Sequence, residues 1–213
     1  MSRLPPTKRL RPLAGAGQRP EVTLSAAGDA ARFRLRLAAR RIENGSVIAY
    51  PTEAVYGLGC DPWNPRAVRR ILEIKRRPES KGLILVAAEA SQLEPFVDPL
   101  DPQRMREILA TWPGPVTWLL PARPGTPRWL TGDHDSLAVR VTAHPLAAGL
   151  CLSAGTALVS TSANRSGLEP ARTALAVRLH LGGAIDYILA GACGPRAQPS
   201  RIRDGRTGAL IRA

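Results

Sequence analysis

From about residue 30 onward, short apolar runs rich in β-branched residues alternate with segments of helical period, and no other feature limits the fold as much. Runs at 47–50, 83–87, 116–120, 137–141, 157–160, 187–189, 201–203 and 209–211 read as strands. Helical pattern covers 30–43, 65–76, 102–111, 145–152 and 173–181. Pro65, Pro102 and Pro145 stand at the first helical position, where a missing N–H costs nothing, and Asn44-Gly45 closes the first helix. Such alternation predicts helices covering a sheet, an α/β domain over residues 29–213. With an aromatic share of only 4%, the core must be built from Leu, Val, Ile and Ala. The 44% hydrophobic share excludes wholesale disorder. No apolar run approaches the roughly 18 residues of a spanning helix, so the expectation is a soluble, cytoplasmic protein with no membrane partner.

Charge is unevenly placed along the chain. The formal net charge is +13. Residues 1–41 hold ten Lys or Arg against Glu21 and Asp29, whereas the rest carries twenty basic and fifteen acidic side chains. Residues 1–28 are rich in Pro, Gly, Ala and Arg without hydrophobic period and read as a flexible basic arm. They lack the apolar stretch of a secretory signal, and their excess of Arg resembles an organelle transit peptide. An arm of this kind attracts polyanions through counterion release; a solvated tail with no partner is the plainer alternative.

Cys60, Cys151 and Cys193 form no CxxC pair, and His134, His144 and His180 stand in no ligand pattern. They read as reduced thiols and ordinary histidines, which leaves a disulfide scaffold and a metal hydrolase without support. Lysine tells more. The chain uses Arg almost wherever it needs a cation, yet two of its three lysines fall within Lys75-Arg76-Arg77-Pro78-Glu79-Ser80-Lys81. A compact ammonium kept among forked guanidiniums suits a site that needs a point charge, as phosphate sites do. A pair between Glu73 and Arg77 would account for part of this run structurally.

Two further segments carry polar groups just after predicted strands, where open α/β sheets place ligands. Pro51-Thr52-Glu53-Ala54-Val55-Tyr56-Gly57-Leu58-Gly59-Cys60-Asp61 offers a hydroxyl, carboxylates and glycines able to turn N–H groups toward an anion. It matches neither the Walker loop nor the dinucleotide fingerprint. Ser160-Thr161-Ser162-Ala163-Asn164-Arg165-Ser166-Gly167 offers hydroxyls and an amide that a turn, a cap or a ligand must satisfy. It is no nucleophile elbow, and no histidine is placed to serve as its base.

Taken together and in order, Pro-Thr-Glu-Ala-Val-Tyr-Gly-Leu-Gly, Lys75-x-Arg77, Trp112-Pro113-Gly114-Pro115-Val116-Thr117, Leu137-Ala138-Val139-Arg140-Val141 and Ser160-Thr161-Ser162-Ala163-Asn164 closely resemble the YrdC/TsaC family. The likeness runs from about Ala30 to the C-terminus, and Thr126-Pro127-Arg128-Trp129-Leu130-Thr131-Gly132 extends it to the short bacterial form. The basic arm departs from the pattern, as does the lack of the linker and second domain with which longer relatives cover their site.

The resemblance implies a YrdC-like twisted mixed sheet flanked by helices, with a concave basic face. It implies synthesis of L-threonylcarbamoyladenylate and diphosphate from L-threonine, bicarbonate and ATP, for the tRNA modification t6A. Mg²⁺ is expected with ATP as substrate, with no tightly bound organic cofactor. It further implies that Lys75 and Arg77 hold the phosphates with help from Lys81, and that Ser162 and Asn164 orient the nucleotide. Thr52 and Ser160 would meet the threonylcarbamoyl part, Arg140 the threonine carboxylate, and Thr117 the pocket wall. Arg140 has a structural alternative in a pair with Asp133 or Asp135, and Glu53 and Asp61 are candidate magnesium partners or turn caps. Double-stranded RNA or tRNA and a downstream threonylcarbamoyltransferase complex are the implied macromolecular partners. Two rival readings are another carbamoyl-adenylate-forming enzyme and a double-stranded-RNA or ribosome-binding maturation factor; the chain has neither RNP aromatics nor a KH-type GxxG loop.

Overall fold

A computed structural model describes Leu13 and residues 28–165, 167–195, 198 and 200–212. Most of the predicted arm, and Ser166 of the serine-rich loop, lie outside the described residues.

Helices α1 (Asp29–Glu43), α2 (Pro65–Lys75), α3 (Pro102–Leu109), α4 (Arg128–Thr131), α5 (Pro145–Ala154) and α6 (Ala174–Leu181) flank one sheet. Its strands are β1 (Ile48–Pro51), β2 (Tyr56–Gly59), β3 (Ile84–Ala87), β4 (Val116–Pro121), β5 (Ser136–Val141), β6 (Leu158–Ser162), β7 (Tyr187–Ile188), β8 (Arg201–Asp204) and β9 (Leu210–Arg212). They run in the order β7-β1-β2-β6-β3-β5-β4-β8-β9. Pairings β1–β7, β3–β5 and β4–β8 are parallel and the others antiparallel, so the expected mixed sheet is present. The prolines at 65, 102 and 145 open α2, α3 and α5, behind caps from Asn64, Asp101 and His144.

Side chains alternate across each strand and build two cores. Val47, Ala49, Leu58, Leu85, Val139 and Val159 face the core that receives Val68 and Ile71 of α2. Ile48, Tyr50, Val86 and Leu158 point the other way, against Leu35, Ala38 and Ile42 of α1 and Ala147, Leu150 and Cys151 of α5. Helices α1 and α5 cover only part of this second face. Where they end, the face carries the polar residues described below.

Two elements depart from expectation. Residues 56–59 form strand β2, antiparallel to both β1 and β6, where the sequence suggested a loop. A Cβ on Gly59 would stand 2.7 Å from both the Tyr50 ring and the Val159 carbonyl. Gly59 therefore makes room for these neighbours. The short helix α4 also has no counterpart in the sequence pattern. Leu13, inside the stretch read as a flexible arm, is buried, and its N–H donates to Glu94 Oε1 at 3.0 Å.

Candidate active site

The uncovered part of the second sheet face opens into a cavity of about 330 Å³. Strand register brings its residues together. Leu158 belongs to the covered core, and Ser160 and Ser162 follow on the same side of β6. Ser160 pairs across to Ile84, Ser162 to Gly57, and Val86 of β3 to Arg140 of β5. The β1–β2 hairpin adds Thr52 and Glu53, and the end of α2 adds Lys75 and Arg77.

Lys75 is buried. Its ammonium donates to the Ser162 carbonyl (2.6 Å), the Asn164 carbonyl (2.9 Å) and Asn164 Oδ1 (3.1 Å). It thus ties the end of β6 to α2 while placing a positive charge on the cavity wall. Burial, followed by the nearby Arg77 charge, pushes its pKa down to about 8. The Asn164 amide donates to the Arg165 and Leu168 carbonyls, which closes the loop on itself.

Arg76 ends α2 in the left-handed region at φ 51° and is exposed, so the chain turns and Arg77 swings to the cavity. Arg77 donates to the Lys81 and Gly82 carbonyls, and the pairing considered with Glu73 gives way to these contacts. Burial, then the charge of Arg212, lowers its pKa.

Arg140 is buried and lies 3.0 Å from Glu53 through Nη1 and Oε2. Its structural alternative is overturned: Asp133 pairs with Arg128 and Asp135 with Arg206. The other Glu53 oxygen accepts from Thr142 Oγ1 (2.7 Å) and the Ala143 N–H (3.0 Å). Burial raises the Glu53 pKa, but Arg140, Thr142 and backbone N–H groups outweigh it and hold the carboxyl below its ordinary value. Asp61 accepts from the Trp63 N–H. Glu53 is thereby paired within the protein, whereas Asp61 caps a turn and lies outside the cavity lining. Among the described residues, no group of three or more His, Cys, Asp or Glu is placed to hold a metal ion.

Of the expected site residues, Thr52, Lys75, Arg77, Arg140, Ser160, Ser162 and Asn164 line this one cavity. Two stand elsewhere. Thr117 is fully buried and shares a hydroxyl hydrogen bond with Ser200 (2.9 Å), which does line the cavity. Lys81 is exposed on an adjoining groove, since the turn that follows Pro78 carries it past the cavity rim. The Thr52 hydroxyl donates to the Val55 carbonyl at 2.7 Å and so holds the hairpin turn as well. Sequence reasoning missed Ser200 and Arg212, brought in by β8 and β9. Arg212 breaks the apolar run Leu210-Ile211 just as Arg140 breaks its own strand, and that was the available signal.

The family model described as telomere recombination, Sua5/YciO/YrdC, matches residues 40–213. The chain belongs to the Sua5/YciO/YrdC family. It is 59% identical to the threonylcarbamoyl-AMP synthase of Nitrosococcus oceani over 180 residues, 84% of this chain and 97% of that one. Among solved Sua5/YciO/YrdC structures it resembles P. abyssi Sua5 complexed with L-threonine, with a TM-score of 0.76 and 36% identity. That match covers 81% of this chain and 51% of the P. abyssi protein, so the present chain spans about half of the longer form. E. coli YciO superposes with a TM-score of 0.75 at 26% identity, over 85% of this chain and 89% of YciO. The fold expected from the resemblance is thus the fold found, and seven of the nine expected site residues line the cavity on the sheet face that the helices leave open.

Proposed function

We propose that this chain is an L-threonylcarbamoyladenylate synthase, joining L-threonine, bicarbonate and ATP and releasing diphosphate and water. The observation that carries the reading is the composition of the cavity wall: among its described residues stand four cations, Lys75, Arg77, Arg140 and Arg212, one carboxylate, Glu53, and several hydroxyls. Such a wall suits a triphosphate and an amino-acid carboxylate bound side by side.

The threonine amine first takes up the carbon of bicarbonate as a carbamate, with loss of water. A carbamate oxygen then attacks the α-phosphorus of ATP, a P–O bond forms, and the bond to diphosphate breaks. This chemistry asks for position and charge neutralisation rather than a protein nucleophile. The buried thiols of Cys60 and Cys151 are pushed well up by burial and suit no such role. In our reading Arg77 and Arg212 grip the β- and γ-phosphates that leave. Lys75 adds its charge and holds Ser162 and Asn164 against the nucleotide. Arg140 takes the threonine carboxylate, with Thr52 and Ser160 beside the threonylcarbamoyl group. ATP enters with its magnesium ion. The product serves tRNA t6A modification in the cytoplasm through a threonylcarbamoyltransferase; exposed Arg36 and Arg40 on α1 give the RNA a polyanion-binding surface, and the basic sequence of residues 1–28 adds positive charge.

Diphosphate release tests the reading. Purified protein with ATP, Mg²⁺ and bicarbonate is expected to release diphosphate only when L-threonine is added. Equal release without any amino acid would replace the assignment with a nucleotidase or a carbamoyl-adenylate enzyme.

A further inference from the structure

Among the described residues the cavity wall holds a single carboxylate, Glu53, and it faces Arg140. Glu53 is buried on the β1–β2 hairpin turn: Oε1 accepts two hydrogen bonds, and Oε2, which has no hydrogen-bond partner, stands in ion-pair contact with Arg140 at 3.0 Å. Oε1 is fixed from a separate segment, by the Thr142 hydroxyl and the Ala143 N–H just beyond β5. Thr142 Oγ1 in turn accepts from the His144 N–H at 3.1 Å, so the hydroxyl cannot rotate away without losing a partner. From behind, Gly194 packs against the Glu53 backbone so closely that a Cβ there would come within 2.7 Å of the Glu53 carbonyl oxygen.

An arginine free in a cavity of this size would sample several rotamers and pay their entropy on binding. Arg140 is instead held at Nη1, with its Nε buried and unpartnered. Resting on the reading above, we propose that Glu53 is a positioning residue: it braces Arg140 in one orientation so that a fixed guanidinium meets the carboxylate of the amino-acid substrate. The brace neutralises a buried charge as well as aiming it, and one acidic and one basic group share the wall at the threonine end.

Steady-state kinetics on the full chain test this. Glu53→Gln keeps the size and an acceptor for Thr142 but loses the charge that holds Arg140. It is expected to raise KM for L-threonine by about tenfold, the order of one charge-assisted hydrogen bond, and to leave KM for ATP within about twofold. Thr142→Val, which loosens the brace without touching Arg140, should move the threonine KM in the same direction by roughly threefold. In an Arg140→Ala background Glu53→Gln should add nothing, because there is no guanidinium left to aim. A merely structural Glu53 would raise both KM values together, or add its full effect on top of Arg140→Ala; either result overturns the inference. If Arg140→Ala raises the threonine KM and Glu53→Gln does not, the brace is wrong while the carboxylate site stands. If Arg140→Ala leaves the threonine KM unchanged, the assignment of Arg140 itself has failed. Should Glu53→Gln not fold, Thr142→Val decides: an unchanged threonine KM there overturns the brace.

Discussion

One face of the sheet lives two lives. Under α1 and α5 it presents Ile48, Tyr50, Val86 and Leu158 and is packed dry. Beyond them the same face, in the same alternation, presents Ser160, Ser162, Arg140 and the residues about them, and it is open. Leu158 and Ser160 stand two residues apart on one side of one strand. Backbone geometry does not distinguish them; helix cover does. Where helices supply apolar partners, a leucine is stabilised by burial. Where they stop, hydroxyls and cations are retained, because nothing apolar would cover them.

The contrast can be broken most forcefully at that pair. Leu158→Ala is expected to cost about 2–5 kcal/mol of stability through the cavity it leaves. Ser160→Ala is expected to cost less than about 1 kcal/mol, since no large group is removed, and to weaken threonine use instead. Denaturant melts set beside KM values for both variants measure this. Loss of stability at Ser160 equal to that at Leu158 would erase the distinction between covered and open halves.

Next in size come the cations of the open half. Removing the guanidinium in Arg77→Ala should lower kcat/KM for ATP roughly ten- to a hundredfold, the worth of one charge-assisted phosphate contact at about 1.5–3 kcal/mol. Lys75 offers a pH test. Its pKa is lowered to about 8, so it carries its proton below pH 8 and loses it above. ATP affinity should hold from pH 6 to 7.5 and then fall, by at most about tenfold per unit. Lys75→Met should bind ATP weakly across the range and lack this inflection. An inflection that survives in Lys75→Met would belong to another group.

The smallest effect falls on the solvent side of the same turn. Arg76 has φ 51°, which glycine adopts without steric cost. Arg76→Gly is therefore expected to stabilise the chain by up to about 1 kcal/mol and to leave kinetics unchanged. A change in activity comparable to that of Arg77→Ala would show that the division between cavity and solvent at the end of α2 is misdrawn.

Most of the scaffold was legible because it rests on local signals. Proline at the first turn announced α2, α3 and α5, and β-branched runs announced most strands. Strand β2 was not legible: Tyr56-Gly57-Leu58-Gly59 reads as a loop, and only the neighbouring Tyr50 ring and Val159 carbonyl explain why glycine belongs at position 59 of a strand. The site divides the same way. The serine-rich loop and Lys75-x-Arg77 are contiguous motifs, and their contact could be inferred from likeness to a family. The Glu53–Arg140 pair and the arrival of Ser200 and Arg212 depend on sheet order, which no local pattern encodes. Asp133 and Asp135 lie nearer in sequence to Arg140, yet they are taken by Arg128 and Arg206.

The central claim is that the open half of this sheet face is where threonine and ATP meet. A crystal structure of the chain with L-threonine and a non-hydrolysable ATP analogue tests it most directly. The account predicts the threonine carboxylate within hydrogen-bond distance of Arg140, its amine toward the α-phosphate, and the phosphate tail between Arg77 and Arg212. Nucleotide lodged in the adjoining groove beside Lys81, with the cavity between Arg140 and Lys75 empty, would contradict it.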